Sequence, residues 1–356
     1  MAILDFDNEK EVKEYEKFLN DFGIVSFMQD LRWGKIKRNW KEEAVYIKDE
    51  GKICGCMMIL IQKVPYTNFS FMYSPRGPVC DLNNIEIIND LLDEVETLRK
   101  KYNAYCITFD PAFIYDETTI ALLKEHGYII KNRNINPHLL TQPRYEAKID
   151  LLGKSEEEII SSFSQKTRYN LKLAGKHNVI VRRSNSLDDL KKFYKLYEIT
   201  AVRDKIGKRN YDYFTNMLRV YDDNSLKIFI AEHDGSPIAA SIAINFGKEV
   251  FYAYGASSNE KRNLMPNYIM QMDMIRWAME NKCLSYNFGG VIENNKDDGL
   301  YRFKIGFVRE KGYFEYIGEI TKVYNPLIYN FVNSGLKLKR NVSKGRSIIK
   351  QLIKIK

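Results

Sequence analysis

Ile228-Phe-Ile230, a turn at Asp234-Gly235, then Ile238 to Asn245 reads as strand, tight turn, strand. An aromatic strand from Phe251 to Gly255 follows, then a helix from Asn267 to Asn281 and a strand from Ser285 to Phe288. The same series occurs earlier in the chain. Val45-Tyr-Ile47, a turn at Asp49-Glu-Gly51, Ile53 to Ile61, Phe69 to Ser74, a helix from Ile85 to Lys101 and a strand from Tyr105 to Phe109 repeat it at an offset of about 180 residues. The series predicts a mixed α/β (α+β) protein built from two copies of one module; the alternative is chance likeness between α/β segments. The expected division is 1–147 with 316–356 for the first module, and 148–315 for the second.

Between the copies, Ser155-Glu-Glu-Glu158 is a capping box that opens a helix through Phe163. Its continuation, Thr167 to Ala174, is expected to end at Gly175, with a strand at Val179-Ile-Val181. Ser186 to about Val202 and Tyr211 to Tyr221 carry the apolar spacing of further amphipathic helices.

The 356 residues exceed what one core usually organises, which agrees with two modules. Lys and Arg total 55 against 46 Asp and Glu, a formal charge of +9. That excess is local. Nine basic residues and no acidic ones follow Glu319, so the body balances and the tail carries the charge. The acidic, polar start from Met1 to Lys10 predicts no secretory leader. No run of 18 apolar residues exists to span a bilayer. Five cysteines lack zinc-site spacing, and Cys54-Gly-Cys56 reads as alternate positions on one strand, as expected of reduced cytosolic thiols. His126, His138, His177 and His233 are scattered and receive no role.

The order strand, hairpin, strand, helix, strand resembles the acyltransferase module of the GNAT type. The acetyl-CoA version has a glycine-bearing turn whose amides receive a pyrophosphate at a helix start. Here the segment is Lys261-Arg-Asn-Leu-Met-Pro266: both glycines are missing and Pro266 removes an amide donor. Another acyl donor is expected.

Further segments carry a more specific likeness. They are Phe27-Met-Gln29 with Trp33-Gly34 and Lys37, Tyr73-Ser-Pro-Arg-Gly-Pro78, and Phe109-Asp-Pro111. The second half adds Thr167-Arg168 with Asn170, Thr200 with Arg203-Asp204, and Arg209 with Tyr213. Tyr252-Ala-Tyr254-Gly, Tyr286-Asn-Phe-Gly-Gly290 and Gly299-Leu-Tyr-Arg-Phe-Lys-Ile-Gly-Phe307 complete the set. In this order the chain resembles the Fem family of non-ribosomal peptidyltransferases over roughly residues 20 to 320. The resemblance implies two GNAT-like modules facing a cleft. It also implies transfer of an amino acid from aminoacyl-tRNA to the stem peptide of a peptidoglycan precursor, either UDP-MurNAc-pentapeptide or lipid II. No metal or other cofactor is expected, because the ester supplies the driving force. A monomer is expected.

For the precursor's diphosphate the resemblance implies Lys37, Arg209, Tyr213 and Tyr254, a set of cations and hydroxyls suited to phosphate. Arg209 and Tyr213, four apart, share a helix face if the helix begins there; the plain alternative makes Arg209 a surface helix-start residue and Tyr213 a core residue. Tyr105 and Asp110 frame a strand end. The resemblance turns both toward the muropeptide, with Asp110 orienting the attacking amine or accepting its proton; otherwise Asp110 merely ends the strand. Phe303-Lys304 is implied at the aminoacyl-tRNA end, with Lys304 for the developing oxyanion or tRNA phosphates and Phe303 for stacking on a terminal base. The plain alternative is a strand with Tyr301, Phe303 and Ile305 inward and Arg302 and Lys304 outward.

The long coiled-coil arm of some relatives has no counterpart between Ile149 and Tyr316. In the tail, Ile348, Ile349, Leu352 and Ile353 share one face among lysines. Three readings of Asn341–Lys356 stay open: contact with an anionic membrane, contact with tRNA phosphates, or docking on the first module. Two other functions also stay open, an acyl-CoA-dependent N-acyltransferase and a catalytically silent tRNA- or membrane-binding paralogue.

Overall fold

The computed structural model describes residues 2–291 and 295–335. The basic segment 341–356, with its proposed apolar face, lies outside the described residues. The first half runs β1 (Ala2–Ile3), α1 (Glu9–Phe22), α2 (Leu31–Ile36), β2 (Lys41–Asp49), β3 (Lys52–Lys63), β4 (Ser70–Ser74), α3 (Ile85–Tyr102), β5 (Ala104–Phe109), α4 (Glu117–Glu125) and β6 (Ile129–Lys131). The second half runs β7 (Tyr145–Asp150), α5 (Glu156–Ser162), α6 (Gln165–Lys176), β8 (Ile180–Ser184), α7 (Leu187–Asp204), α8 (Tyr211–Val220), β9 (Leu226–His233), β10 (Ser236–Phe246), β11 (Glu249–Ser257), α9 (Pro266–Glu280), β12 (Ser285–Val291), α10 (Gly299–Val308), β13 (Tyr313–Glu315) and β14 (Glu319–Val323). A last helix, α11, covers 326–335.

The repeat is real. In each copy two antiparallel pairings are followed by a helical crossover and a parallel pairing: β2, β3, β4, α3, β5, and then β9, β10, β11, α9, β12. The first sheet is ordered β1-β2-β3-β4-β5-β14-β6 and the second β13-β7-β12-β11-β10-β9-β8. β14 therefore returns from the end of the second half to sit between β5 and β6.

Two differences from the sequence reading are local. Gly175 lies inside α6, which runs on to Lys176 and is capped at His177. The segment 299–308 is a helix, not a strand. Asp298 accepts the Tyr301 amide as N-cap, and Tyr301, Lys304, Phe307 and Val308 are buried at helical spacing. The period-two apolar pattern of Tyr301, Phe303 and Ile305 hid it.

The strands alternate between two buried faces. Ala44, Tyr46, Met58 and Leu60 join a core with Ile228, Ile230, Ala240 and Ile242 of the second sheet and with helices α1, α7 and α8. Val45, Ile47, Met57 and Ile59 instead meet α3. One core thus draws on both halves. Phe27 lies at that junction, its ring centroid 4.9 Å from Trp33 and 5.0 Å from Phe251. Phe27→Ala should cost about 3–5 kcal/mol. Thermal unfolding should remain one cooperative transition; two separate transitions would contradict a shared core.

Candidate active site

Lys37 leaves the C-terminal end of α2, and Arg209 sits just before Asn210, the N-cap of α8. Arg209 is thus outside the helix, and its closeness to Tyr213 comes from stacking: the guanidinium lies 5.3 Å from the ring centroid. Lys37 Nζ lies 4.0 Å from the Trp33 ring and donates to Tyr213 Oη at 3.5 Å, while Tyr254 Oη donates to Tyr213 Oη at 3.0 Å. Lys37, Arg209, Tyr213 and Tyr254 therefore come together. The first two of these and Tyr213 line, with Trp40, a cleft of about 470 Å³ between the halves. Burial, and then the Arg209 charge, bring the Lys37 ammonium down to about 8, with no carboxylate among the groups acting on it. Lys37, Arg38, Lys208 and Arg209 outnumber Asp212, the acid lining the same cleft, so the cleft favours an anion.

An aromatic row leads away from this cleft along the first sheet. Trp40 is 6.3 Å from Phe71, which stacks on Tyr73 at 6.4 Å and lies 6.2 Å from Tyr105. Tyr105 in turn meets Tyr329 of α11 at 6.5 Å. The row ends at Asp110, whose Oδ2 accepts from Tyr73 Oη at 2.6 Å and whose Oδ1 accepts the Arg76 amide at 2.7 Å. Asp110 is 2% exposed, and burial pushes its carboxyl up to about 7. Both oxygens already have donors, so in this geometry Asp110 holds the Arg76 turn and the Tyr73 hydroxyl.

The strand ends differ between the halves. β4 pairs with β5 as far as Ser74 and Phe109, but β11 leaves β12 after Phe251 and Asn287. Lys304 of α10 points toward this opening. Its Nζ donates to the Gly290 carbonyl at 2.8 Å, and a Cβ built on Gly289 would lie 3.7 Å from it and 3.5 Å from the Phe251 ring. Lys304 is 5% exposed, and burial lowers its ammonium to about 8. Phe303 points elsewhere, against Tyr268 at 5.1 Å and into an open cleft of about 1290 Å³. The adjacent pair thus serves two surfaces. Gly306 permits α10 to approach α6, since a Cβ there would lie 2.4 Å from Thr167 Oγ1.

Some contributors escaped sequence reasoning. Arg76, Glu146 and Asn287 form a buried network, and Trp40 and Phe71 build the aromatic row. Their signal was present in part: the Tyr73–Pro78 motif carries Arg76, and Gln29 of the Phe27–Gln29 motif pins that turn by donating to Pro75 O at 2.7 Å. A side chain at Gly77 would fall 2.3 Å from Ser74 Oγ.

A model of the FemAB family matches residues 11–236 and 227–336. The chain belongs to the FemAB family. Over 92% of its length and 98% of the relative's, it is 33% identical to a UDP-N-acetylmuramoylpentapeptide-lysine N(6)-alanyltransferase of Weissella viridescens. It is 25% identical, over 96% of its length and 98% of the relative's, to a lipid II:glycine glycyltransferase of Staphylococcus haemolyticus. A crystal structure of FemX matches with a TM-score of 0.82 at 25% identity, covering 93% of this chain and 100% of that one. A tandem GNAT protein from the clavulanic acid biosynthesis pathway shares the fold at a TM-score of 0.55 and 9% identity, over 91% and 98% of the two chains.

Lys304 provides a test of the electrostatics. The folded state holds its proton only to about pH 8 against an ordinary 10.5, which costs about 3 kcal/mol while the group is charged. That cost is full below pH 8 and fades as pH rises to 10.5. Lys304→Met should therefore raise the Tm at pH 7, less the lost Gly290 hydrogen bond, with the gain vanishing near pH 10. A lowered Tm at pH 7 would contradict the burial argument.

Proposed function

We propose that this FemAB protein is a tRNA-dependent aminoacyltransferase that adds an amino acid to the stem peptide of a peptidoglycan precursor. The observation that carries the reading is the pairing of two sites in one molecule: a cleft with an excess of cations at Lys37 and Arg209, and a buried Lys304 at an opened strand pair. The first suits the diphosphate of a UDP-linked or lipid-linked muropeptide. The second suits an ester carbonyl whose oxygen gains negative charge. The precursor's amine, with an ordinary pKa near 10.4, must be deprotonated to attack. The C–N bond then forms as the ester C–O bond breaks, the ribose hydroxyl of the tRNA leaves with a proton, and no nucleotide is hydrolysed.

The donor side agrees with a nucleic acid. The cleft beside Phe303 carries Lys166, Lys296, Arg302, Arg309 and Lys311 with the ring of Tyr268, cations for phosphate and aromatics for a splayed base. Against an acyl-CoA donor stands the start of α9, where Pro266 occupies the first helical turn and Met265 has φ 55° with no capping side chain. Purified protein should move label from charged tRNA, and none from acyl-CoA, onto a precursor. Lys304→Ala should lower kcat by about 10²–10³. Transfer from acyl-CoA, or undiminished transfer by Lys304→Ala, would overturn the reading, and a protein that transfers nothing from any charged tRNA would be the silent paralogue.

No helix among the described residues is long and apolar enough to cross a membrane. We extend the proposal to peripheral contact with an anionic membrane through 341–356. α11, which leads to that segment, leaves Leu327 82% and Phe331 73% exposed four residues apart, and its Tyr329 touches Tyr105 of the aromatic row. Removing 341–356 should reduce co-sedimentation with phosphatidylglycerol vesicles while transfer to the soluble UDP-linked precursor persists. Unchanged co-sedimentation would remove the membrane from the account.

A further inference from the structure

A chain of buried hydrogen bonds joins Asp110 to the turn that seats Lys304, crossing from one half of the molecule to the other. Tyr73 and the Arg76 amide donate to Asp110, and Arg76 Nη2 donates to Glu146 Oε1 on β7 at 2.7 Å. Glu146 Oε2 accepts from Asn287 Nδ2 at 2.8 Å and from Tyr316 Oη at 3.0 Å. Asn287 Oδ1 then accepts the Gly289 amide at 2.8 Å, fixing a turn with φ 75° whose next carbonyl takes the Lys304 ammonium. Glu146 also stands opposite Gly290 in the strand register. Every member is nearly buried: Arg76 5%, Asp110 2%, Glu146 4%, Asn287 1% and Lys304 5% exposed.

We infer that Glu146 is a positioning residue for transfer: through Asn287 it fixes the Gly289–Gly290 turn, and by its charge it keeps Lys304 cationic at the reacting carbonyl. This deepens the proposed transferase reading and rests on it. The charges around Lys304 leave Glu146 as the main source of that support. Asp298, the cap of α10, is the other acid acting on it. Glu249 of β11 takes Lys148 at 3.0 Å and also accepts from Asn287 Nδ2 at 3.0 Å, but it is not among the acids acting on Lys304. Thr167 of α6, packed on Gly306, does not titrate. Glu310, in the turn after α10, acts on Tyr301. Arg76 and Lys148 hold Glu146 ionised, down to about 2. A carboxylate so held is available as a fixed charge at any working pH, and its arm through Asn287 makes that charge and the lysine seat parts of one structure.

Two measurements test this. In the first, kcat is followed with pH in the full-length enzyme. The wild type should lose activity as Lys304 deprotonates above about pH 8. Glu146→Gln should move that alkaline limb down by about one pH unit or more with little change in KM for the precursor. Glu249→Gln, equally buried and bound to the same lysine, should leave the limb where it is. Asn287→Ser, which cuts the arm but keeps the charge, should lower kcat without moving the limb. An unmoved limb in Glu146→Gln, or equal shifts in the two glutamate variants, would overturn the inference.

The second measurement needs no activity, so it stands even if the transferase reading fails. Lys304→Met is made in the wild-type and Glu146→Gln backgrounds and the four Tm values at pH 7 form a cycle. A buried lysine that has lost its carboxylate is more costly, so the Tm gain from Lys304→Met should be larger in the Glu146→Gln background. Equal gains would overturn the inference, and if Glu146→Gln does not fold the cycle is run with Arg76→Met plus Glu146→Gln, which also removes the carboxylate but leaves no stranded Arg76 charge.

Discussion

Arg76 and Glu146 form a salt bridge at 2.7 Å with both side chains about 5% exposed, one from each half of the molecule. Withdrawing two charges from water costs several kcal/mol per ion, and their attraction repays this only when the remaining donors and acceptors are satisfied. Here they are. Arg76 also donates to Pro143 O at 2.8 Å and to Asp110 O at 3.5 Å, while Glu146 takes Asn287 and Tyr316. Breaking one partner would strand the other, so the pair commits the two halves to one relative placement. The turn carrying Arg76, the β7 edge and the seat of Lys304 all inherit their positions from it.

The groups assigned to chemistry behave in the opposite way. Lys37 and Arg209 face a cleft in which cations outnumber the one lining acid, Asp212, and Lys304 is a buried ammonium that donates to the Gly290 carbonyl. Burial works against the ammoniums of Lys37 and Lys304, and in the proposed reading each lies where a ligand would bring negative charge: a diphosphate at one end, a developing oxyanion at the other. Stability is thus concentrated in the saturated network and the shared core, and is given up at the two buried ammoniums that the proposed function assigns to substrate. The adjacent residues Phe303 and Lys304 show how economical the helix is. Successive positions turn by about 100°, so one side chain meets the donor cleft while the next reaches the strand opening.

Much of this was legible in the sequence because it is written in local patterns. Hydrophobic alternation and Gly-bearing turns marked the repeated module, and the Ser155 capping box marked the helix between the copies, since each is decided by neighbours a few residues away. The motif residues Lys37, Arg209, Tyr213, Tyr254 and Lys304 were singled out by family likeness, and the meeting of the first four could not have been read from spacing: Lys37 and Tyr213 meet across 176 positions. Glu146 was missed because a lone Glu between Arg144 and Lys148 reads as an ordinary charged strand; the partners that bury it lie 70, 141 and 170 residues away. The segment 299–308 was open to a strand reading because aromatic and aliphatic residues at alternate positions mimic period two, and only the Asp298 cap and the buried lysine settle the helix.

The central claim is that acceptor and donor occupy separate sites on one frame, the acceptor in the cleft between the halves and the donor within the second half. Hydrogen exchange of the intact protein, measured with UDP-MurNAc-pentapeptide and then with an aminoacylated acceptor-stem analogue carrying a non-hydrolysable amide link, tests it most directly. The precursor is expected to slow exchange in 31–40 and 205–216, and the analogue in 162–170 and 299–311. Protection of one common segment by both ligands, or of neither pair of segments, would contradict the account.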